Sequence, residues 1–457
     1  MTLSRTKFLL SNKHKSELKN QKSMNIIEHF KESFEHLHSE KGSDGISSLR
    51  ESAFNAFSKM GIPTVKHEEW RYTRISGLFN KEYEFPLLSD NISEKDLNAF
   101  RLPAYEQANE LVFVNGVFSF PLSVIRSTEL IVLPLEEAAL NEYKVIVAKN
   151  LGHSSNYLKD GINALNTGFL QGAVFIHVKR GKITEHPVYI YNITDARSTN
   201  IFSQPRSLVH ISEHAQVQIV ETYSSMGLGE SFTNQVMEII VEKEAMVEYY
   251  KIQNDAGHTN QVSTTHFRQV GKSYIHTVLI SLNGGIVRNN LNVVLEAAHC
   301  EAHLYGLYFP IGQTHIDNHT LVDNVKPNCL SNQLYKGILN DSASAVFNGK
   351  IFVQPNAQKT NAYQSNKNVL LSNSASVNTK PQLEIFADDV KCSHGCTVGR
   401  LNEEGLFYLQ SRGIPEKTAK SLLVHAFAID ILKNIKLEPI RKYVDHLISE
   451  RLEFNIA

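Results

Sequence analysis

Residues 217–252 read VQIVETYSSMGLGESFTNQVMEIIVEKEAMVEYYKI. Three runs rich in β-branched and aromatic residues stand out in it, at 217–220, 236–241 and 247–252, and none is long enough for an ordinary helix. Working outward, similar runs recur at 174–178, 188–193 and 274–280, with Gly, Asn, Asp and Ser, the residues that tolerate turns, between them. No amphipathic helix of ordinary length interrupts residues 172–390, which argues against βαβ units and a doubly wound parallel sheet. A sandwich and a β-solenoid both fit. The continuity of short strands favours the solenoid, in which each strand buries one face in a stacked core. Asn also recurs at positions 324, 332, 340, 348 and 356, a spacing of eight residues that suits a coil with polar corners.

Helical patterns flank this region. Ile27, Phe30, Phe34 and Leu37 mark one apolar stripe, and Ile46, Leu49, Ala53, Ala56 and Met60 mark another. Gly61, Ile62 and Pro63 then form a stop signal. After Cys396, Asn402 is placed to cap a helix whose first turn carries Glu403 and Glu404. Gly413 and Ile414 close that helix, and Pro415 opens the next, striped by Ala419, Leu422, Leu423, Ala426 and Phe427. Pro439 opens a last helix, striped by Ile440, Tyr443, Val444, Leu447 and Ile448. The chain thus divides into four parts. Residues 1–23 are a basic tail, read as disordered or as lying upstream of a true start at Met24. Residues 24–170 are mostly helical or mixed, 171–396 form the β core, and 397–457 are helical.

Composition narrows the function. Lys plus Arg number 46 and Asp plus Glu 47, a net charge of −1 that offers nothing to a nucleic-acid backbone. No apolar run approaches the roughly 18 residues of a membrane span. The four cysteines, Cys300, Cys329, Cys392 and Cys396, are too sparse for a disulfide framework, which points to a reducing, cytoplasmic setting. Gly271-Lys272-Ser273 is the nearest approach to a phosphate loop, but His266 stands where the motif needs glycine, so no nucleotide is expected on this chain. The common hydrolase signatures are missing as well. His299, Cys300, His303, His315 and His319 read as dispersed, hydrogen-bonded residues rather than a metal cluster. Asp388 and Asp389 are adjacent, so on a strand they would face apart and could not share acid–base work.

One short segment differs. If 392–394 is extended, Cys392 and His394 project to one face and Ser393 to the other, giving half of a soft metal site that a partner would have to complete.

That segment sits inside KPQLEIFADDVKCSHGCTVGRLNEEGLFYLQSR, residues 380–412, which is very similar to the signature of the SufB/SufD family of SUF iron–sulfur cluster assembly proteins. Residues 333–337, 357–360 and 366–372 also match it, and Lys66-His67-Glu68-Glu69-Trp70-Arg71-Tyr72-Thr73 resembles the segment typical of the SufD branch. The resemblance implies a mainly β protein, a right-handed parallel β-helix between N- and C-terminal helical regions. It implies a non-catalytic scaffold that pairs with a SufB-like subunit, binds the ABC-type ATPase SufC, and forms a homodimer when isolated. By position, Cys392 and His394 correspond to the family's residues near the site where a transient cluster forms between the two subunits. The helical hairpin 403–433 would dock the ATPase, with Phe407, Tyr408, Arg412, Gly413, Ile414 and Pro415 as contacts. Cys396 departs from the family, which usually has a small residue there, and reads as a neutral substitution. A SufB-type paralogue and a carbohydrate-active β-helix enzyme are the alternatives, the latter needing a carboxylate cluster in an exposed groove.

Overall fold

Successive strands of the β region alternate between two ten-stranded sheets laid face to face, as seen in a computed structural model that describes residues 27–28, 30–36, 45–85 and 92–455. The tail at 1–23, Met24 and Leu37 lie outside the described residues. Gln216–Met226, Met246–Asn254, Tyr274–Asn283, Glu301–Tyr308, Leu330–Leu339, Asn361–Leu370 and Lys391–Gly399 stack in the first sheet. Ser231–Val241, Thr259–Gln269, Ile286–Leu295, His315–Asn324, Ser344–Val353 and Ser376–Ile385 stack in the second. The neighbours are parallel. Met246 pairs with Tyr274, Tyr274 with Glu301, Glu301 with Leu330, and Leu330 with Asn361, so one coil takes 27–31 residues. This is the expected β-solenoid.

The coil period replaces the eight-residue asparagine spacing. Asn332 and Asn348 lie within strands, and Asn324 ends one, while Asn340 and Asn356 lie between strands. What marks the corner is a left-handed residue, His214, Glu244, His299, Asn328 or Lys359, each with φ near +60°. A small buried residue follows it: Ala215, Ala245, Cys300, Cys329 or Thr360. Two of the four cysteines are therefore corner packing.

Inside the coils, alternate side chains such as Val217, Ile239, Val247, Phe267, Ile275, Val293 and Phe347 meet across the two sheets. The outer faces are roofed by helices, so most strands are buried on both sides and read as nearly continuous apolar runs. On the first sheet, Val424, Ala428, Ile431, Ile440, Val444 and Ile448 of the C-terminal helices pack on Val220, Tyr250, Ile280 and Ile338. On the second, Phe54, Phe57, Trp70 and Leu165 pack on Phe202, Phe232 and Val262. Each such burial is worth about 1.5–3 kcal/mol.

Two helix faces differ from their sequence stripes. Helix Ser47–Met60 buries Arg50, Phe54 and Phe57, and Met60 is exposed, because the bulkiest rings win the inward positions. Helix Glu416–Leu432 buries Ala419, Val424, Ala428, Ile431 and Leu432, and leaves Leu422 and Ala426 facing out. The last helix, Glu438–Asn455, uses the expected face, with Ile440, Val444 and Ile448 fully buried.

The sheets also begin before residue 171. Asn109–Val114 pairs in parallel with Val188–Asp195, and Leu130–Pro134 pairs antiparallel with Val174–Val178, so the N-terminal region closes that end of the solenoid. At the other end Ser376–Ile385 and Lys391–Gly399 are the outermost strands of their sheets, and the last one runs past Cys396 to Gly399.

Candidate functional site at the open end of the solenoid

Strand Lys391–Gly399 is bonded on one side only, to Asn361–Leu370, in the register Ala362 with Cys392, Gln364 with His394 and Asn366 with Cys396. In the preceding coil Ala362, Gln364 and Asn366 are fully covered. In the last coil the residues above them have no further coil to cover them, so Cys392 is half-buried while His394 and Cys396 are exposed. Cys392 packs against the interior of the coil, and burial pushes its thiol pKa up. The expected pair does share one face. Cys396 shares it too, which the same two-residue alternation already requires.

A thiolate and an imidazole are soft donors suited to iron or zinc. Among the described residues, no group of three His, Cys, Asp or Glu side chains is close enough to hold a metal ion. The remaining candidates are dispersed. His299 turns a corner, His303 lies 2.6 Å from Glu301, His315 lies 2.7 Å from the Ser344 hydroxyl, and His319 lies 2.9 Å from Asp317. Asp388 and Asp389 occupy the bend before the last strand, and Gly271-Lys272 a bend between two strands.

The rim of the open end is apolar as well as unpaired. Tyr363, Ile385, Phe386 and Val398 are all exposed beside two edge strands whose backbone groups are ready to pair. A second exposed apolar surface lies on the hairpin. Phe407 is 72% exposed, Tyr408 56% and Leu422 48%, with Ile429 close behind. Asn402 Oδ1 accepts from the Gly405 amide, as its capping role requires. Gly413, at φ +82°, ends the first helix, and the Ile414 amide donates to the Leu409 carbonyl. The Arg412 guanidinium sits 5.2 Å from the Tyr408 ring centre. Arg412, Gly413 and Pro415 are exposed in the turn, and Ile414 is half-buried.

The N-terminal motif at 66–73 straps the outer face of the second sheet. The Arg288 guanidinium lies 3.9 Å from the Trp70 ring centre and donates to Asp317 Oδ2 and to the Glu69 carbonyl. The Thr73 hydroxyl donates to the same carboxylate oxygen. Glu69 meets His319, Lys350 and Asn348, and the His319 contact is the main reason its pKa falls to about 2. Glu68 pairs with Lys380. A cleft of about 450 Å³ lies beside this strap. Three carboxylates line it: Glu68 pairs with Lys380, Glu69 with Lys350 and His319, and Asp160 accepts from the Trp70 indole N–H.

Comparison with known proteins decides the family. Residues 192–427 match the model for "SUF system FeS cluster assembly, SufBD core domain", and residues 20–190 match the "SufBD protein N-terminal region". The chain belongs to the SufB/SufD family. It is 31% identical over 417 residues to an iron–sulfur cluster assembly SufBD family protein of Synechocystis sp., covering 88% of this chain and 90% of the relative. It is 31% identical over 403 residues to the iron–sulfur cluster assembly protein SufD of Escherichia coli, covering 86% and 90%. The SufD of Bacillus subtilis is 26% identical over 308 residues, covering 65% and 70%. The chain is thus a SUF-system protein of iron–sulfur cluster assembly, close to SufD. No helix among the described residues is long and apolar enough to cross a membrane.

Proposed function

We propose that the chain is a non-catalytic, SufD-type scaffold subunit working in the cytoplasm. It pairs with a SufB-like subunit through the open end of the solenoid and binds a SufC-type ATPase through the hairpin 403–433. The nascent iron–sulfur cluster is its cargo, held transiently between the two scaffold subunits with His394 as a ligand and Cys392 beside it. The observation that carries this reading is the uncovered last coil. An unpaired edge with an apolar rim suits a protein partner, and soft donors on that edge suit a metal that both partners hold. Imidazole in place of thiolate leaves less negative charge on a cluster, which suits a site that must release it.

The test is the iron and sulfide content of complexes purified anaerobically from cells. His394→Ala is expected to leave the complex assembled, with an unchanged melting temperature, and to lower cluster content several-fold. Wild-type cluster content in that variant would remove His394 from the site.

A further inference from the structure

Cys300 and Cys329 occupy the same corner of adjacent coils. Glu301 pairs with Leu330 in the parallel register, and the Leu330 amide donates to the Cys300 carbonyl at 2.9 Å. The two cysteines stand one residue earlier, so their Cα atoms are about one strand spacing apart, roughly 4.8 Å. A disulfide spans roughly 4.4–6.8 Å between Cα atoms. Both side chains turn into the same interior cluster, where they are 1% and 0% exposed. The Cys329 thiol donates to the Cys300 sulfur, so the two sulfurs already meet.

The pair is asymmetric. The hydrogen bond from Cys329 is the main reason the Cys300 pKa lies below the ordinary thiol value, and the Ser273 amide and hydroxyl support the same sulfur. The same bond, with burial, pushes Cys329 up. Cys300 is therefore the better nucleophile and Cys329 the thiol placed to follow it. Their cover is thin. His299 and Asn328, the residues just before them, are exposed turn residues with φ 63° and 61°. A lid one turn thick suits an oxidant about the size of water and keeps out a peptide disulfide.

We propose that Cys300 and Cys329 form a dithiol site that reacts with a small hydroperoxide and closes to a disulfide across two coils. The Cys300 thiolate attacks one peroxide oxygen and the O–O bond breaks. The other oxygen leaves as water with the proton that Cys300 gave up, and Cys300 becomes a sulfenic acid. The Cys329 sulfur then attacks the Cys300 sulfur, the S–S bond forms and the S–O bond breaks. The sulfenic oxygen leaves as a second water with the Cys329 proton. The two thiols have then given two electrons to one peroxide. This site is separate from the open end and does not depend on the scaffold reading.

The test is peptide mapping of the full-length, fully reduced chain after brief treatment with hydrogen peroxide, followed by alkylation in denaturant. Peptides carrying Cys300 and Cys329 should be recovered joined by a disulfide. Alanine fills the same corner at Ala215 and Ala245, so alanine variants suit the fold. In Cys329→Ala, dimedone should label Cys300, the trapped sulfenic acid. In Cys300→Ala, Cys329 should stay a free thiol. Glutathione disulfide in place of peroxide should leave the pair reduced. Oxidation of the exposed Cys396 without a Cys300–Cys329 bond in the wild type would overturn the proposal. A dimedone adduct on Cys329 in Cys300→Ala would overturn the order of attack, and equally fast closure by glutathione disulfide would overturn the choice of oxidant.

Discussion

Arg288 is fully buried, and its charge is tolerated because Asp317 lies 2.6 Å away and Trp70 faces it with its ring. Removing one member of such a pair leaves the other charged and unpaired in a place water cannot reach. Asp317→Ala should therefore cost about 3–5 kcal/mol of stability, and equilibrium urea unfolding measures it. A loss under about 1 kcal/mol would show the strap to be independent of this pair. Histidines set the response to acid. His177 and His210 share one hydrogen bond of 2.9 Å, as do His153 and His266. Burial is the main cause in both pairs, pushing His177 down from 6.5 to about 4 and His266 to about 3. Folding thus favours the neutral rings, and the unfolded chain binds more protons below pH 6.5. Their contribution is complete above that pH and falls by up to about 1.4 kcal/mol per pH unit for each ring as acid is added. Unfolding free energy should decline between pH 6.5 and 4. A flat profile there would contradict neutral rings at His177 and His266.

At the scale of elements, the two apolar faces of helix Glu416–Leu432 divide its tasks. Val424, Ala428 and Ile431 are committed to the sheet, and Leu422 and Ile429 are left over. Phe407 and Tyr408 of the preceding helix are also left over, and the proposed docking of the ATPase rests on these exposed side chains. Truncation after Thr397 is a poor test, because it would also unroof Tyr250, Ile280 and Ile338. Point changes are cleaner. Phe407→Asp combined with Leu422→Asp should abolish co-purification of the SufC-type ATPase while leaving the melting temperature unchanged. Undiminished ATPase binding by that double variant would move the docking surface elsewhere.

At the scale of the molecule, the two ends of the solenoid are unlike. The N-terminal end is closed by antiparallel strands, and the C-terminal end presents two bare edges with Phe386 and Val398 beside them. Phe386→Glu with Val398→Glu should therefore reduce pairing with the SufB-like subunit at least tenfold, read by analytical ultracentrifugation or pull-down. Intact pairing would place the scaffold contact away from this end.

The sequence alone determined the strand-rich core, the flanking helices and the segment that carries the thiols and the imidazole. It did so because these rest on local pattern: β-branched runs between turn formers, helical spacing with Asn402 and Gly413 at the caps, and the two-residue alternation from Cys392 to Cys396. It did not determine the coil period. Asn side chains every eight residues mimic a corner, whereas the true repeat is set by which strands pair 27–31 residues apart. Nor could it rank the thiols. Cys392 and Cys396 are equivalent in spacing, and only the packing of the core half-buries the first and leaves the second exposed. The same holds for helix Glu416–Leu432, where Leu422 and Val424 are both apolar and only the sheet beneath decides which turns inward. Local pattern fixes what an element is. Its exposure depends on residues far away in the chain, and that is a property of the packed whole.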